Sequence, residues 1–466
     1  MGLPHFSCGI FRNWGRDTFI AMPGSGPSIP GRFDDARYII LAYAGTPRHG
    51  LIPTYWAVAR TLATTAVTPS GGTGCSASGC ILSWRHRGSC RILQDIVLRL
   101  YPNDSDLAGQ NDKEMPLHEV IQEALNRHFD GISFRERNAG QQIDEHMRDA
   151  GFNVSVGVDL ATGFVYGGNA DNCGTWMDKM GSSDKAGIRG KPATPRDGSA
   201  VELIGLSYSV VSWLAGLHKQ GHYVHDGVRK CAKEGSEPVH WTWADWAEKI
   251  RANFDKHFYV PLANEPQGPA EITSRELIHK RGIYKDSVKA TQFWADYQLR
   301  PNFPIAIAVA PDIVNPERAF RALSVAEKHL AGPLGMKTLD PDDWNYDGFY
   351  VNSDDSEDPK RAKGFNYHQG PEWLWVVGYF LRAKLEMAAR LRAQNAQLWS
   401  DCVVGVQQTL SRHWTHLDRN PWAALPELTN KDGAVCADSC HAQAWSSATL
   451  MEVLHTLNRI GHDKKS

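Results

Sequence analysis

Apolar positions recur every third or fourth residue over long stretches of this chain, the period of a helix with one buried face. The spacing predicts helices over Asp34–Gly45, Leu117–His128, Ala200–His218, Trp243–Phe258, Thr291–Val309, Pro316–Leu330, Glu372–Ala393, Gln397–His413 and His441–Arg459. In the first of these, Ala36, Ile39, Ile40, Tyr43 and Ala44 share one face. Alternation of period two marks Asn153–Gly168, where Thr162–Gly163 is the turn of a hairpin. Residues 1–22 read as a loop entering a short segment, and Arg48–Pro53 turns the chain after the first helix. The layout is helix, loop, helix, loop, with no sequence repeat of fixed period. Nothing in it predicts a parallel sheet. Paired helices must bury their apolar faces on one another, and closing the pairs into a ring does this while gathering the loops at one end.

The charge pattern narrows the choice of partners. A formal net charge of −2 gives no general attraction to nucleic acid or to an anionic membrane. No apolar run reaches the roughly 18 residues of a membrane span. Met1 is followed by neither a basic start nor the apolar core of a signal peptide. Length alone allows one large domain or two or three ordinary ones. Nine scattered cysteines, an odd number, predict reduced thiols and a cytoplasmic setting.

Motifs for cofactor chemistry are lacking. GGNADN matches neither dinucleotide nor P-loop patterns. There is no Gly-x-Ser-x-Gly elbow. HEVIQEALNRH, His118–His128, lacks the zincin spacing. The acidic runs Asp340–Asp343 and Asn352–Asp358 do not follow EF-hand spacing. Cys436, Cys440 and His441 are clustered, yet no second ligand pair lies near them in sequence. No metal and no organic cofactor are expected.

What the loops do carry is a mixture of carboxylates, Arg, His and aromatic residues. It recurs in Asn13–Asp17, Phe134–Gly140, Asn172–Lys179, Thr194–Gly198, Asp296–Asn302, Asn366–Trp373 and Leu425–Asn430. Sugar recognition needs such a mixture, with hydrogen bonds for vicinal hydroxyls and a flat apolar face for the ring. Sixteen Trp, 14 Tyr and 16 Phe suit a carbohydrate cleft, though a large core would use them as well. Lys191–Glu202 stands out, because Asp197 sits on a Pro-bearing approach just before a predicted helix. A loop carboxylate held there can act as a catalytic acid, and Glu427 in LPELTN is the candidate for its partner. The simpler local reading is that Asp197 caps the following helix and Glu427 lies on the surface.

Several runs make the matter more specific. LPHFSCGIFRNWGRDTF, FRERNAGQQID, TGFVYGGNADNCGTWMDKMG, GKPATPRDGSAVE, KRGIYKDS, DYQLRPNF, AGPLGMKTLDPDD, KGFNYHQGPEWLW and LPELTN closely resemble the C-terminal half of eukaryotic glycogen debranching enzymes. The resemblance covers nearly the whole chain. It implies an all-α (α/α)6 toroid with small β-hairpin excursions, one catalytic domain over residues 1–466. It implies inverting hydrolysis of the α-1,6-linked glucose at glycogen branch stubs, with glycogen or another branched α-glucan as the partner molecule. The family's acid falls on Asp197 and its base on Glu427, with Glu372 as the runner-up base. Trp14, Arg16, Asp17, Arg135, Glu136, Trp176, Asp178, Arg196, Arg300, His368 and Glu372 are the candidate sugar contacts. Arg196 would lower the pKa of an adjacent acid, so its side chain is expected to turn away from Asp197. The family's 4-α-glucanotransferase half has no counterpart here, and Met1 is expected not to be the native start. The alternative is a glycogen-binding fragment without catalysis. Other toroid enzymes, such as trehalases and polysaccharide lyases, fit the fold but not the motifs.

One segment departs from the family. Its Trp-rich stretch between the counterparts of RHGLIP and LYPNDS is replaced by Thr54–Ile92, at nearly equal length. Back-translated and read one base upstream, Thr64–Gly72 permits YNCRDAVWW, the family's own run. A change of reading frame, restored near Leu93, is therefore expected in the coding sequence. Pro23–Pro30 departs as well. Losing an aromatic helix at Thr54–Ile92 would remove several kcal/mol of core burial at about 25 cal/mol per Å².

Overall fold

The computed structural model describes residues 14–25, 32–52, 90–101, 109, 113–136, 139–140, 144–230, 238–268 and 275–462. Most of the Thr54–Ile92 departure and part of Pro23–Pro30 lie outside these residues.

Ten α-helices are described: α1 (Gly15–Ser25), α2 (Phe33–Ala44), α3 (Leu117–Asp130), α4 (Val201–Lys219), α5 (Trp243–Phe258), α6 (Phe303–Val309), α7 (Pro316–Leu330), α8 (Trp375–Leu391), α9 (Ala396–Arg419) and α10 (Ala444–His462). Short antiparallel ladders decorate them, including the expected hairpin of Asn153–Val158 with Val165–Gly167. The all-α expectation holds, and most helices begin and end within a few residues of the predicted bounds. Where they start, the sequence supplies caps. Thr242 and Asp245 form a reciprocal capping box on α5, and Asn315 and Asn395 cap α7 and α9.

The helices pack in an alternating inner and outer order. α10 lies between α1 and α8, α8 continues to α6, and α6 to α4. α5, α7 and α9 back onto this inner arc. The inner helices approach closely because glycines face them. A Cβ on Gly378 of α8 would lie 2.4 Å from the Thr449 carbonyl oxygen of α10, and one on Gly205 of α4 would lie 2.5 Å from Ala306 Cα of α6. α8 is buried around nearly its whole circumference, from Trp375 to Leu391, as a helix inside a ring must be.

Three predicted helices start late, among them α10, which begins at Ala444 and not His441. Thr291–Val309 is a 3-10 turn at Phe293–Tyr297, a loop, and then α6 from Phe303. Pro301 interrupts the run, since the residue before a proline avoids the helical region. Glu372 is not in a helical first turn. Glu372–Trp373 is the central strand of a small sheet, paired with Met336–Lys337 and Leu428–Thr429.

Candidate active site

Asp197 is not a helix cap. α4 begins at Val201 behind Ala200, whose side chain makes no capping bond. Asp197 instead sits where three segments meet. Gly198, at φ 88°, exchanges two 3.0 Å backbone hydrogen bonds with Gly167 of the hairpin. Ser199–Ala200 pairs with Ser287–Val288. The chain after that pair turns back, so that the Thr291 N–H donates to both Asp197 oxygens, at 3.1 and 3.2 Å. The Thr291 hydroxyl contacts Oδ2 as well. A hydroxyl can donate or accept, so this partner suits either protonation state of the carboxyl. The turn is itself pinned by buried Asp296, which accepts from Ser287 Oγ, Lys289 N–H and Ala290 N–H. Burial pushes the Asp296 carboxyl up to about 6.

Arg196 turns away from its neighbour, as expected. Its guanidinium donates to both Glu202 oxygens at 2.6 and 2.5 Å and to Asp286 Oδ2 at 2.5 Å. Asn302 donates to Asp286 at 2.8 Å and accepts from the Trp176 indole at 2.8 Å. This buried polar cluster ties the Thr194–Gly198 segment to the start of α4 and to the loop before α6.

Glu427 is buried, not on the surface. Its backbone pairs with Cys440 and Leu374, at the end of a strand in the Glu372 sheet. Its carboxyl is pushed up to about 7, first by burial and then by the nearby charge of Asp17, against hydrogen bonds from the Tyr367 hydroxyl and the Cys440 N–H. Tyr367 is held well above its ordinary range by burial and by the charges of Glu427 and Asp178. Arg16, at the start of α1, donates to Asp178 at 3.0 Å and lies 3.8 Å from Asp17. Burial raises the Asp178 carboxyl, and Arg16 opposes that. Arg16, Asp17, Asp178, Tyr367 and Glu427 therefore form one electrostatic group. Gln369, two residues after Tyr367, donates its amide to the Ala193 carbonyl on the Asp197 segment and accepts from Arg300 at 2.6 Å.

Several other candidate sugar contacts have their polar groups or rings engaged within the protein. Arg196 is spent on Glu202 and Asp286. Arg300, 1% exposed, is consumed by Gln298, Gln369 and the carbonyls of Thr338 and His368. Trp176 has no free face, because His368, Trp373 and Trp375 meet it edge-on with centroids 4.9–5.2 Å away. His368 is buried against Trp373, and burial with nearby Arg16 and Arg300 holds it neutral, well below its ordinary range. Glu136 pairs with Arg48 at 2.5 Å inside the protein. Arg135 is exposed and pairs with Asp149. Glu372 is fully buried and accepts hydrogen bonds from the Asp432 and Gly433 N–H groups and the Thr429 hydroxyl. Trp14, half-buried, sits just before α1 beside Arg16 and Asp17.

The sequence reading did not single out Tyr367 or Thr291. Tyr367 lies inside the NYHQGPEW run, and its place beside His368 was the available signal. Thr291 is an ordinary residue locally, and only the fold brings it to Asp197. The cluster of Cys436, Cys440 and His441 does not assemble among the described residues: Cys436 faces the Tyr350 carbonyl and His441 stacks on Trp422.

A family model described as amylo-alpha-1,6-glucosidase matches residues 1–452. The chain belongs to this amylo-α-1,6-glucosidase family. Over 98% of its length it is 41% identical to the glycogen debranching enzyme of Saccharomyces cerevisiae, of which it spans 30%. Among solved structures, a bacterial glucoamylase complexed with acarbose aligns with 96% of this chain and 49% of its own, at 9% identity and a TM-score of 0.46. A family 15 glucoamylase from Hypocrea jecorina aligns with 96% and 64%, at 8% identity and a TM-score of 0.43. Within the amylo-α-1,6-glucosidase family, the described arrangement is a helical scaffold that carries two buried carboxylates, Asp197 and Glu427, on segments at one end of its inner helices.

Proposed function

We propose that this chain hydrolyses single α-1,6-linked glucose units from a branched α-glucan such as glycogen, with inversion at the anomeric carbon. Asp197 gives its proton to the glycosidic oxygen, and Glu427 takes one from the attacking water. The family match over residues 1–452 is the observation that carries this reading, and the burial of both carboxylates, Asp197 and Glu427, on that scaffold agrees with it. Arg16, Asp17 and Asp178 surround it with the charged groups that bind sugar hydroxyls. Trp14 lies at their edge. Free thiols at Cys173, Cys402, Cys436 and Cys440 support a reducing, cytoplasmic setting.

The test is release of glucose from a phosphorylase limit dextrin, with the anomer followed by NMR. Glucose of β configuration is expected, lost in Asp197→Asn and Glu427→Gln while both variants still co-sediment with glycogen. Near-normal turnover in either variant would overturn the assignment. Co-sedimentation without glucose release from the parent chain would make it a binding fragment.

A further inference from the structure

Three groups from two distant parts of the sequence converge at the start of α3. His118 and Glu119 lie in its first turn, and His225 lies in the connection between α4 and α5. His118 Nδ1 is 3.4 Å from His225 Nε2. Glu119 Oε1 is 3.7 Å from the first nitrogen and 3.5 Å from the second. Each residue thus offers one ligand atom, and the three atoms form a nearly equilateral triangle. Zinc with bonds of 2.0–2.1 Å in a tetrahedron holds its ligand atoms roughly 3.3–3.4 Å apart. The observed triangle is one face of such a tetrahedron, wider by a few tenths of an ångström.

The protein holds this triangle from behind. Tyr223 sends its hydroxyl to the His118 carbonyl and to Gln122, and Gln122 donates to the Gly227 carbonyl at 2.8 Å. The Trp243 indole donates to the His225 carbonyl at 2.8 Å. The ring of Tyr223 meets both imidazoles edge-on. The backbones of both histidines are therefore held by partners other than the three ligand atoms. His118 is buried, whereas Glu119 and His225 are partly open to solvent, leaving an approach for an ion and for a water as fourth ligand. None of these supports belongs to the Asp197 or Glu427 groups described above.

A second cluster shows what a site without need of a metal looks like. His329, Asp340 and Asp342 also converge, but Lys280 Nζ already lies 3.2 Å from Asp340 and 2.5 Å from Asp342. Its ammonium supplies the positive charge. The described ion pairs of Glu119 are with the two histidines alone.

We propose that His118, Glu119 and His225 bind one divalent ion of the zinc class, tying the start of α3 to the α4–α5 connection. Two imidazoles and a carboxylate favour zinc or its Co(II) substitute over magnesium or calcium, which prefer all-oxygen shells. The site stands apart from catalysis and does not depend on the proposed reaction.

The test uses the full chain, stripped with chelator and titrated with CoCl2, then with ZnCl2. One equivalent of Co(II) is expected to give the strong visible bands of a four-coordinate ion, without the near-ultraviolet thiolate band that cysteine ligands would add. Zinc should displace it and raise the melting temperature. Glu119→Gln and His225→Gln, both at partly exposed positions, should each weaken binding by more than the roughly 10–100-fold that a supporting residue costs. Each should melt with the parent when no metal is present. Absence of saturable binding overturns the proposal. Binding unchanged in both variants overturns it too, since the ion then sits elsewhere.

Discussion

Arg196 aims its guanidinium at Asp286, 2.5 Å away and 90 residues later in the chain, and not at the adjacent Asp197. Glu202 takes the other side of the same guanidinium. Two carboxylates that would repel one another in a dry site are thereby held together beside Asp197. Removing the arginine leaves both unpaired. Arg196→Met should therefore cost about 3–5 kcal/mol, measured by urea denaturation. Arg196→Lys should lose part of that, because an ammonium cannot reproduce the two-pronged contact. A loss below about 1 kcal/mol, the worth of an exposed pair, would mean that water reaches the cluster.

The proposed role of Glu427 as base sets an expectation for the pH dependence of catalysis. A base works only when ionised, and this carboxyl titrates at about 7. The kcat/KM for dextrin should fall as pH drops through that value, since this ratio reports the free enzyme. Asp17 contributes by its negative charge, so Asp17→Asn should move the limb to lower pH, whatever it does to the plateau. Should activity fall above pH 7 instead, with no acid limb there, Glu427 is the acid and the two roles are exchanged.

The same perturbation has an opposite consequence for stability. The folded Glu427 holds its proton up to about 7, whereas an ordinary glutamate releases it near 4.5. Between those values the native protein binds more protons than the unfolded chain, so stability falls as pH rises through the window. Above it the full deficit remains. Glu427→Gln carries no such charge and should be more stable than the parent at pH 8, by about 1–3 kcal/mol. Near pH 4.5 the difference should largely vanish. Thermal melts of both proteins at the two pH values check this, and equal stability at pH 8 would count against a buried, strained carboxylate.

The helices were legible because their apolar period is local. Trp243–Phe258 needs only its own spacing and its Thr242 cap, and the observed bounds agree with the predicted ones. Thr291–Val309 misled because its apolar residues keep a helical period through Pro301, which stops the helix. The two carboxylates could be picked out by motif, but not their surroundings. Arg196, Arg300 and Trp176 have the composition of sugar contacts, and only the fold reveals that Asp286, Gln369 and Trp375 already occupy them. Long-range partners decide between a residue that touches substrate and one that holds such a residue in place. Spacing along the chain does not carry that information.

Glu372 shows how such a support can be tested. Its carboxylate receives the Asp432 N–H at 3.0 Å, the Gly433 N–H at 3.1 Å and the Thr429 hydroxyl at 3.2 Å. These bonds fix the turn that follows the Leu428–Thr429 strand, whose preceding residue is Glu427. Gly332 closes over the same carboxylate, and a Cβ there would lie 2.2 Å from Oε2. Glu372→Ala leaves three donors without an acceptor, each costing about 1–3 kcal/mol if it stays buried. Stability should drop by several kcal/mol. Because the strand end positions the base and not the sugar, kcat should fall much further than KM rises, as expected when a reacting group is displaced by an ångström. Glu372→Gln keeps the shape and one acceptor oxygen and should recover part of kcat. Gly332→Ala, which pushes on the carboxylate without removing it, should give the same pattern of lowered kcat with little change in KM. A Glu372→Ala protein with full kcat would show that Glu427 is placed by other contacts. One that lost kcat completely at unchanged stability would return Glu372 to consideration as the base.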